Sequence, residues 1–462
     1  MNRWSLLPKP YEVWMMNRER DSAAIRAMVK SAFAHFGRNK TEQIARLALE
    51  ISRRENEPVE KILVRVKEGG GPSFPEVKSS LIDRRYPALN AREKANVPFF
   101  PLPAENFPAV PLTGMEFYPR RVHYEQGLND HPLTRRFRAR FPQARFQQIL
   151  SYRDYSQDRP YSLCDYNQRR EMIFIVQEHY DFLQQCPCTP GALPCGYFNL
   201  NLGYGCAYDC AYCFLQGYTN AAGLVFPANL GDYFDHLRHT LRPGMRVGTG
   251  QNTDSLFLDD VTHYSTELLE FFRSFPEVRL ELKTKSDCIE NLLQVSPPDN
   301  VVISWSVNPE VIVSEVEAGT ASLQKRVEAA RRCAEQGYQV AFHFDPIVRI
   351  PAWREEYSRV VEQIFKSVPS HKISWISLGC LRMTKSLYQA VEKRFPASYI
   401  LLEEQVLGYD DKIRYPRRFR DEMYAFIRDK IFSFDPERPV YLCMESPDIC
   451  RSLELSPRSL SV

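Results

Sequence analysis

The sequence predicts an α/β protein, a partial TIM-type barrel preceded by a helical extension. Three observations predict it. From about residue 115 onward, short apolar strands alternate with helices of about 10–15 residues, the pattern of a parallel sheet with right-handed crossovers. Those strands end in glycines or polar residues, where barrel sites are built. Ahead of that point the apolar periodicity is helical.

Each element follows from its local pattern. "DSAAIRAMVKSAFAHFGRNKTEQIARLALEISRRE" sets apolar residues at helical spacing with charges opposite. The run Gly69, Gly70, Gly71, followed by Pro72, breaks it. "FFPLPAENFPAVPL", Phe99 to Leu112, has the proline density of extended backbone and reads as a linker or a surface-hugging segment. "RFQQILSY" is a short strand, and "REMIFIVQEHYDFLQQ" is a helix or a strand running into one. After a cysteine-rich loop come the helix "PANLGDYFDHLRHTL", the strand "MRVGTG" and the helix "YSTELLEFFRSF". Strand "VRLELKTKS", helix "CIENLLQV" and strand "NVVISWSVNP" continue the alternation. Helix "ASLQKRVEAARRCAEQG" is closed by Gly337. "YQVAFHFDP", "YSRVVEQIFKSV", "KISWISLGCLR" and "KSLYQAVEKRF" complete it as strand, helix, strand, helix.

Composition narrows the class. The chain has 462 residues, 44% apolar and 25% charged, as in ordinary globular proteins. A net charge of +3 leaves nucleic-acid affinity to local basic patches. No run reaches the roughly 18 apolar residues of a membrane span, and the start lacks a signal-peptide core. A cytoplasmic setting is expected, so the twelve cysteines read as metal ligands, reactive groups or small core residues, not disulfides.

"NLGYGCAYDCAYCFLQGY" places Cys206, Cys210 and Cys213 within eight residues. Zinc sites of four cysteines pair two Cys-x-x-Cys knuckles, and only one is present. Iron–sulfur cubanes take four thiolates, so three leave one iron open to bind a ligand.

Cys-x-x-x-Cys-x-aromatic-Cys, on a loop before the first helix of a βα series, resembles the radical S-adenosylmethionine (SAM) superfamily, and implies a (β/α)6 partial barrel. The resemblance implies a [4Fe-4S] cluster on the three cysteines. Its open iron would chelate SAM and cleave it to a 5'-deoxyadenosyl radical. A closed, dry cavity keeps such a radical from solvent. "FYPRRVHYEQGLNDHPLTRRFRARFP", "LKTKSD", "ISWSVNPEVIVSEVEAGTASLQKRVEAARRCAEQGY" and "FDPIVRIPAWREEY" look like the spore photoproduct lyase family, over about residues 115 to 445. The resemblance implies repair of a methylene-linked thymine dimer in DNA. Together with the local patterns, this divides the chain into a helical accessory region 1–98, a proline-rich linker 99–112, a lyase-like lead-in 113–195, the barrel 196–400 and a C-terminal segment 401–462.

The same resemblance implies site residues. Tyr212 matches the aromatic that packs near the adenine and is placed in the catalytic machinery. Gly248 and Gly250 end the second strand, where backbone can approach a cofactor closely, and Asp254 and Ser255 follow on that loop. Lys283 and Lys285 end the third strand, where an ammonium can meet the SAM carboxylate. Ser306 and Asn308 end the fourth, and Arg326 opens the next helix. Each could equally be a satisfied polar group at a strand end; their clustering favours a site.

Two positions depart from the family. Its well-studied members have a hydrogen-donating cysteine about forty residues past the motif, where this chain reads "GTGQNTDSLF", with Gln251 or a close neighbour at the equivalent position and no cysteine. They also have a tyrosine directly after the third cluster cysteine, where this chain has Phe214. Cys380 and Cys443, near predicted strand ends, are the candidate donors in their place, against the reading of each as a small core residue. Cys186, Cys188 and Cys195 could bind a second metal, alone or with Cys164, but their spacing fits no common signature and a packed cap over the cluster is the favoured reading.

Basic residues interleaved with aromatics suit phosphates and unstacked bases. "RRFRARFPQARF" reads as a solvated helix face. In "DKIRYPRRFRDEMY", Arg414, Arg417, Arg418 and Arg420 are expected to contact DNA, where the family places a hairpin. The expected partners are damaged DNA and an electron donor such as flavodoxin or ferredoxin. Two other readings stay open: a radical SAM enzyme for RNA, a nucleotide or a peptide, and a non-catalytic iron–sulfur protein that binds DNA.

Overall fold

The structure is a computed structural model. It describes residues 22–69, 73–104, 108–110, 116–157, 161–218 and 221–455. The opening stretch through Asp21, Gly70 to Pro72 of the glycine break, and residues 105–107 and 111–112 of the proline-rich stretch lie outside the described residues. The chain divides into two compact units: Met1–Ala109 with Arg382–Arg420, and Val110–Leu381 with Asp421–Val462.

The first unit is built on helices α1 (Ser22–Ala32), α2 (Arg38–Glu55), α3 (Val59–Gly69) and α4 (Phe74–Arg85). Ile44, Leu47, Ala48 and Ile51 fall at helical spacing on α2 and join Ile25, Val29, Ile62 and Leu81 in one core. Asn56 ends α2 in the left-handed region at φ 55°, a conformation asparagine tolerates. A buried charge network ties distant sequence together. Arg46 pairs with Glu50 (2.5 Å) and with Glu392 (2.6 Å), which stands 346 positions away, and Arg85 pairs with Glu50 (3.0 Å). A buried charge without its partner costs several kcal/mol, so these segments are stable only together. Phe100 of the proline-rich stretch stacks on Tyr388 (centroids 5.2 Å apart). Short strands Arg382–Met383, Val406–Leu407 and Ile413–Arg414 form an antiparallel sheet in this unit.

The second unit carries two sheets. Strands β1 (Arg121–Glu125), β2 (Arg145–Ile149) and β3 (Met172–Val176) are parallel, and Leu224–Pro227 extends them on the β3 side. Helix α5 (Pro132–Arg140) joins β1 to β2. The stretch "REMIFIVQEHYDFLQQ" holds no α-helix, only the end of a 3-10 turn at Arg169–Glu171. It is β3 and then β4 (Leu183–Gln185). The run MIFIV sits between two partner strands, and a central parallel strand reads as continuously apolar, not alternating.

The larger sheet is the barrel. Its parallel strands are β5 (Tyr197–Leu200), β6 (Arg246–Gly248), β7 (Arg279–Thr284), β8 (Val301–Ser306), β9 (Gln339–Ile347), β10 (Ile373–Cys380) and β11 (Val440–Leu442). They lie side by side in chain order, the topology of a βα barrel, and β4 pairs antiparallel on the β5 edge. Six strands meet the (β/α)6 expectation and β11 adds a seventh. The sheet curls on itself: the Arg246 guanidinium on β6 lies 4.7 Å from the Trp375 ring on β10 and 5.6 Å from the Tyr441 ring on β11. Helix α6 (Leu323–Gln336) shows why the connections hold. Ser322 Oγ accepts the Lys325 N–H (3.3 Å) at its start, and Gly337, at φ 117°, ends it.

Strand alternation sorts side chains between lumen and helix layer. Glu281, His343 and Ser377 meet inside: His343 Nε2 is 2.5 Å from Glu281 Oε1, and Nδ1 is 2.5 Å from Ser377 Oγ. Burial pushes the His343 imidazole below its ordinary value. Burial pushes the Glu281 carboxyl up, but His343 and Arg246 hold it down at about 2.

Candidate active site

The cysteine loop leaves the end of β5 and is fastened on every side. Gly203 sits at φ 135°, and a Cβ there would stand 2.4 Å from the Val225 carbonyl oxygen. Tyr204 and Val225 exchange N–H···O bonds (3.1 and 2.9 Å), and the Gly205 N–H donates to Asn252 O (2.9 Å). Asp209–Cys210 then pairs antiparallel with Glu317–Ala318. Gln216 Nε2 closes the far end on Ala211 O (2.7 Å) and Cys213 O (3.0 Å). We expect Gly203→Ala to destabilise the fold by about 1–3 kcal/mol, because the residue would be strained and the clash is with backbone. Thermal melting should register it, with a parallel loss of bound iron after reconstitution.

The three thiols share one environment. Cys210 is 6% exposed, and Cys206 and Cys213 are half-buried. Burial, with Asp254 and Cys213 nearby, pushes the Cys206 thiol up to about 12. Burial raises Cys210 and Cys213 as well, while the Lys285 ammonium works the other way on both. Such thiols give up protons to a metal and hold it as thiolates. Among the described residues, no three His, Cys, Asp or Glu side chains gather as they would around a single ion. A cubane asks for something else: each thiolate takes its own iron at a separate corner. Three soft donors on one pinned loop, with cationic Lys285 and Arg169 beside them, fit that group.

Beyond the loop lies a buried polar network. Glu317 Oε1 accepts from Tyr212 Oη and from Asn308 Nδ2 (2.9 Å), and Glu317 Oε2 meets Arg326 Nη2 at 2.6 Å. Burial pushes the Glu317 carboxyl up, but Arg326 and Lys285 hold it down at about 2. Asn308 Oδ1 accepts from Tyr357 Oη (2.9 Å). Lys285 Nζ stands 5.7 Å from the Tyr212 ring. Tyr212, Lys285 and Asn308 are thus brought together beside the thiols.

Other expected site residues brace the loops. Asp254 accepts N–H bonds from Leu256 (3.1 Å), Phe257 (3.0 Å) and Lys285 (2.7 Å), and the Thr284 hydroxyl at 2.6 Å. Ser255 Oγ accepts from Thr249 Oγ1 (2.6 Å) and the Lys283 N–H (3.0 Å). Gly248 makes room for Tyr197, whose Oη would lie 1.6 Å from an added Cβ, and Gly250 for the Lys283 backbone (2.7 Å). The close approach is therefore by protein. Arg326, fully buried, donates to Ala321 O (2.8 Å), Ser306 O (2.9 Å) and Thr320 Oγ1 (2.5 Å) besides Glu317, so its fork is filled from within. Ser306, buried, offers its carbonyl to that fork, and the half-buried Lys283 shares the lumen face with Glu281.

The two candidate donor cysteines are placed differently. Trp375 and Ser377 face the lumen, so Cys380 alternates to the helix side, and its N–H bonds Tyr424 Oη (2.8 Å). Cys443 lies one residue past the end of β11, near Tyr441 and Cys186. The segment expected as a cap over the cluster spans the barrel's open seam instead. The Cys186 N–H donates to Tyr197 O (2.9 Å) on one edge, and the Leu193 N–H to Glu445 O (3.0 Å) beyond the other. Cys195 packs on Trp375 and Tyr441. Phe214 is 41% exposed.

The second basic run divides. Arg414 is buried on Asp410 (2.5 Å), and Arg420 is buried with Nε on Tyr415 O (3.1 Å). These two charges are absorbed by the fold and are corrected here as DNA contacts. Arg417 and Arg418 are exposed, Arg418 with Glu93 at 3.4 Å. In the first run, Arg136 bonds Val261 O (2.7 Å) and Thr262 O (2.8 Å), and Phe137 and Phe141 are core. Sequence reading missed Glu317, Tyr357 and Arg169. Arg169 donates to the carbonyls of Cys206 (2.9 Å) and Tyr208 (2.6 Å), yet within "NQRREM" it looks like any solvated charge.

Comparison with known proteins gives one consistent result. A family model described as spore photoproduct lyase matches residues 165–434. A spore photoproduct lyase of Geobacillus sp. (strain Y412MC61) is 25% identical over 305 residues, spanning 63% of this chain and 87% of the relative. One of Bacillus subtilis (strain 168) is 24% identical over 251 residues, spanning 53% and 71%. A solved spore photoproduct lyase complexed with dinucleoside spore photoproduct has a TM-score of 0.61 at 22% identity, over 71% of this chain and 99% of that one. A mutant form with bound AdoMet and dinucleoside spore photoproduct has a TM-score of 0.59 at 22% identity, over the same shares. These likenesses establish the partial-barrel fold.

Proposed function

This chain belongs to the spore photoproduct lyase family, and from that premise we propose that it repairs the methylene-linked thymine dimer in DNA with a [4Fe-4S] cluster and SAM. The observation that carries the reading is the pinned loop of Cys206, Cys210 and Cys213 at the carboxyl end of the barrel's first strand. These three residues would hold the cluster. When bound, cluster and SAM together supply one-electron chemistry that ends in abstraction of a hydrogen atom. The chain's own residues prepare the site. Glu317 stays ionised and fixes Tyr212 and Asn308. Lys285 offers a cation beside the thiols for a carboxylate.

On this reading the lesion enters the barrel, and Arg417 and Arg418, exposed on the first unit, are proposed phosphate contacts in their own right. An electron donor of the flavodoxin or ferredoxin kind reduces the cluster, and the setting is the cytoplasm. Among the described residues no helix is long and apolar enough to cross a membrane. With Gln251 or a close neighbour where the family has its hydrogen-donating cysteine, and Phe214 where it has a tyrosine, Cys443, just past β11, is the proposed hydrogen-atom donor in preference to Cys380.

The test is anaerobic product analysis with SAM, dithionite and DNA bearing the dimer, reading 5'-deoxyadenosine and restored thymine together. Both should rise with lesion. Restored thymine per 5'-deoxyadenosine should fall about tenfold in Cys443→Ser and hold steady in Cys380→Ser. Slow 5'-deoxyadenosine with no thymine would instead mark a different substrate, the reading that Gln251 and Phe214 favour.

A further inference from the structure

Two consecutive arginines grip three consecutive carbonyls of the cysteine loop. Arg169 is 2% exposed. Its Nε donates to Cys206 O (2.9 Å), and its Nη2 to Tyr208 O (2.6 Å) and Asp209 Oδ1 (3.0 Å). Its Nη1 donates to Tyr166 O (2.8 Å), and the guanidinium lies 3.9 Å from the centre of the Tyr166 ring. Arg170 Nη1 takes the carbonyl between, Ala207 O (3.1 Å), and its Nη2 is held by Glu116 O. A rigid, planar fork is the one side chain that can serve carbonyls at several angles at once.

Holding a loop does not require a charge. At the loop's other end the neutral amide of Gln216 grips two carbonyls. Burying a guanidinium costs far more than burying an amide, so the cation at the Cys206 end asks for a reason. Asp209 supplies part of one. The rest comes from what the thiols hold. A cubane on three thiolates is anionic, and reducing it adds a further negative charge. A fixed cation close by favours the reduced form.

We propose that Arg169 is a positioning residue of the iron–sulfur centre: it shapes the Cys206–Asp209 backbone and, through its charge, keeps the cluster easier to reduce. The proposal rests on the reading of the three thiols as cluster ligands. Arg170 completes the grip from a half-buried position, where solvent screens its charge more.

The test compares the reconstituted wild-type chain with Arg169→Gln and Arg169→Lys, without lesion. Iron and sulfide are counted, and the cluster midpoint is read by titration followed by electron paramagnetic resonance. Arg169→Gln should shift the midpoint to more negative potential. A unit charge about 10 Å away, at an effective dielectric of about 20, changes the reduced-to-oxidised ratio at fixed poise about tenfold. That is ~59 mV for a one-electron couple. Arg169→Lys keeps the charge and should stay at the wild-type midpoint. Arg169→Gln at the wild-type midpoint, or Arg169→Lys shifted as far as Arg169→Gln, overturns the proposal. If Arg169→Gln retains no iron, Arg169→Lys decides. Iron retained at the wild-type midpoint supports the charge; iron lost there too shows that only the fork's geometry matters, and overturns it. A wild-type chain that forms no iron–sulfur chromophore would overturn the cluster reading itself.

Discussion

Cys210→Ala is expected to abolish cleavage of SAM. Cys210 is the most buried of the three thiols and lies on the short strand that pairs with Glu317–Ala318. Losing an outer partner of a metal site costs roughly 10–100-fold. Losing one of three ligands should exceed that, and we expect 5'-deoxyadenosine formation to fall about a thousandfold or more. The variant should still fold, because a small apolar side chain suits the pocket and leaves no polar group unpaired. Circular dichroism should therefore match wild type while the charge-transfer absorption near the visible region disappears. A Cys210→Ala chain that keeps its chromophore and cleaves SAM would remove the loop from the chemistry.

Glu317→Ala is expected to have the largest effect on stability. It strips the partner from Arg326, which is fully buried, and from Tyr212 and Asn308. Breaking a buried pair by removing one member costs about 3–5 kcal/mol, since the other charge stays in the interior. Urea unfolding at neutral pH should show this as a lower midpoint with an unchanged slope. The pH dependence has a definite sign. Glu317 is held at about 2 in the folded chain, below its ordinary 4.5. Its contribution is therefore complete above pH 4.5 and fades as pH falls toward 2. Glu317→Gln should flatten that part of the stability profile, and an unaltered acid limb would refute the assignment.

Much of the barrel was legible because its information is local. Alternation of period two and period 3.6 is written within ten residues, and Ser322 and Gly337 mark the ends of one helix by their own chemistry. The exception shows the limit. MIFIV, read as the start of a helix or a strand running into one, is a strand because it lies between two others. No local pattern states how many faces of a segment will be covered. The glycines show the same limit. "GTG" reads as a place where backbone approaches a cofactor, and in the structure Tyr197 and the Lys283 backbone lie close to it.

The site divides the same way. By itself the sequence determined the three-cysteine loop, the strand ends that surround it and the two departures at Gln251 and Phe214, since each is a spacing or an identity. Only the tertiary structure decided which charges work. Arg169 reaches Cys206 across 37 positions and Tyr212 reaches Glu317 across 105. It turned Arg414 and Arg420 inward, put Cys380 behind its strand and joined Glu392 to Arg46. The physical reason is common to all of them. A charge or a thiol takes its role from its burial and its partners, and those are set when distant segments pack.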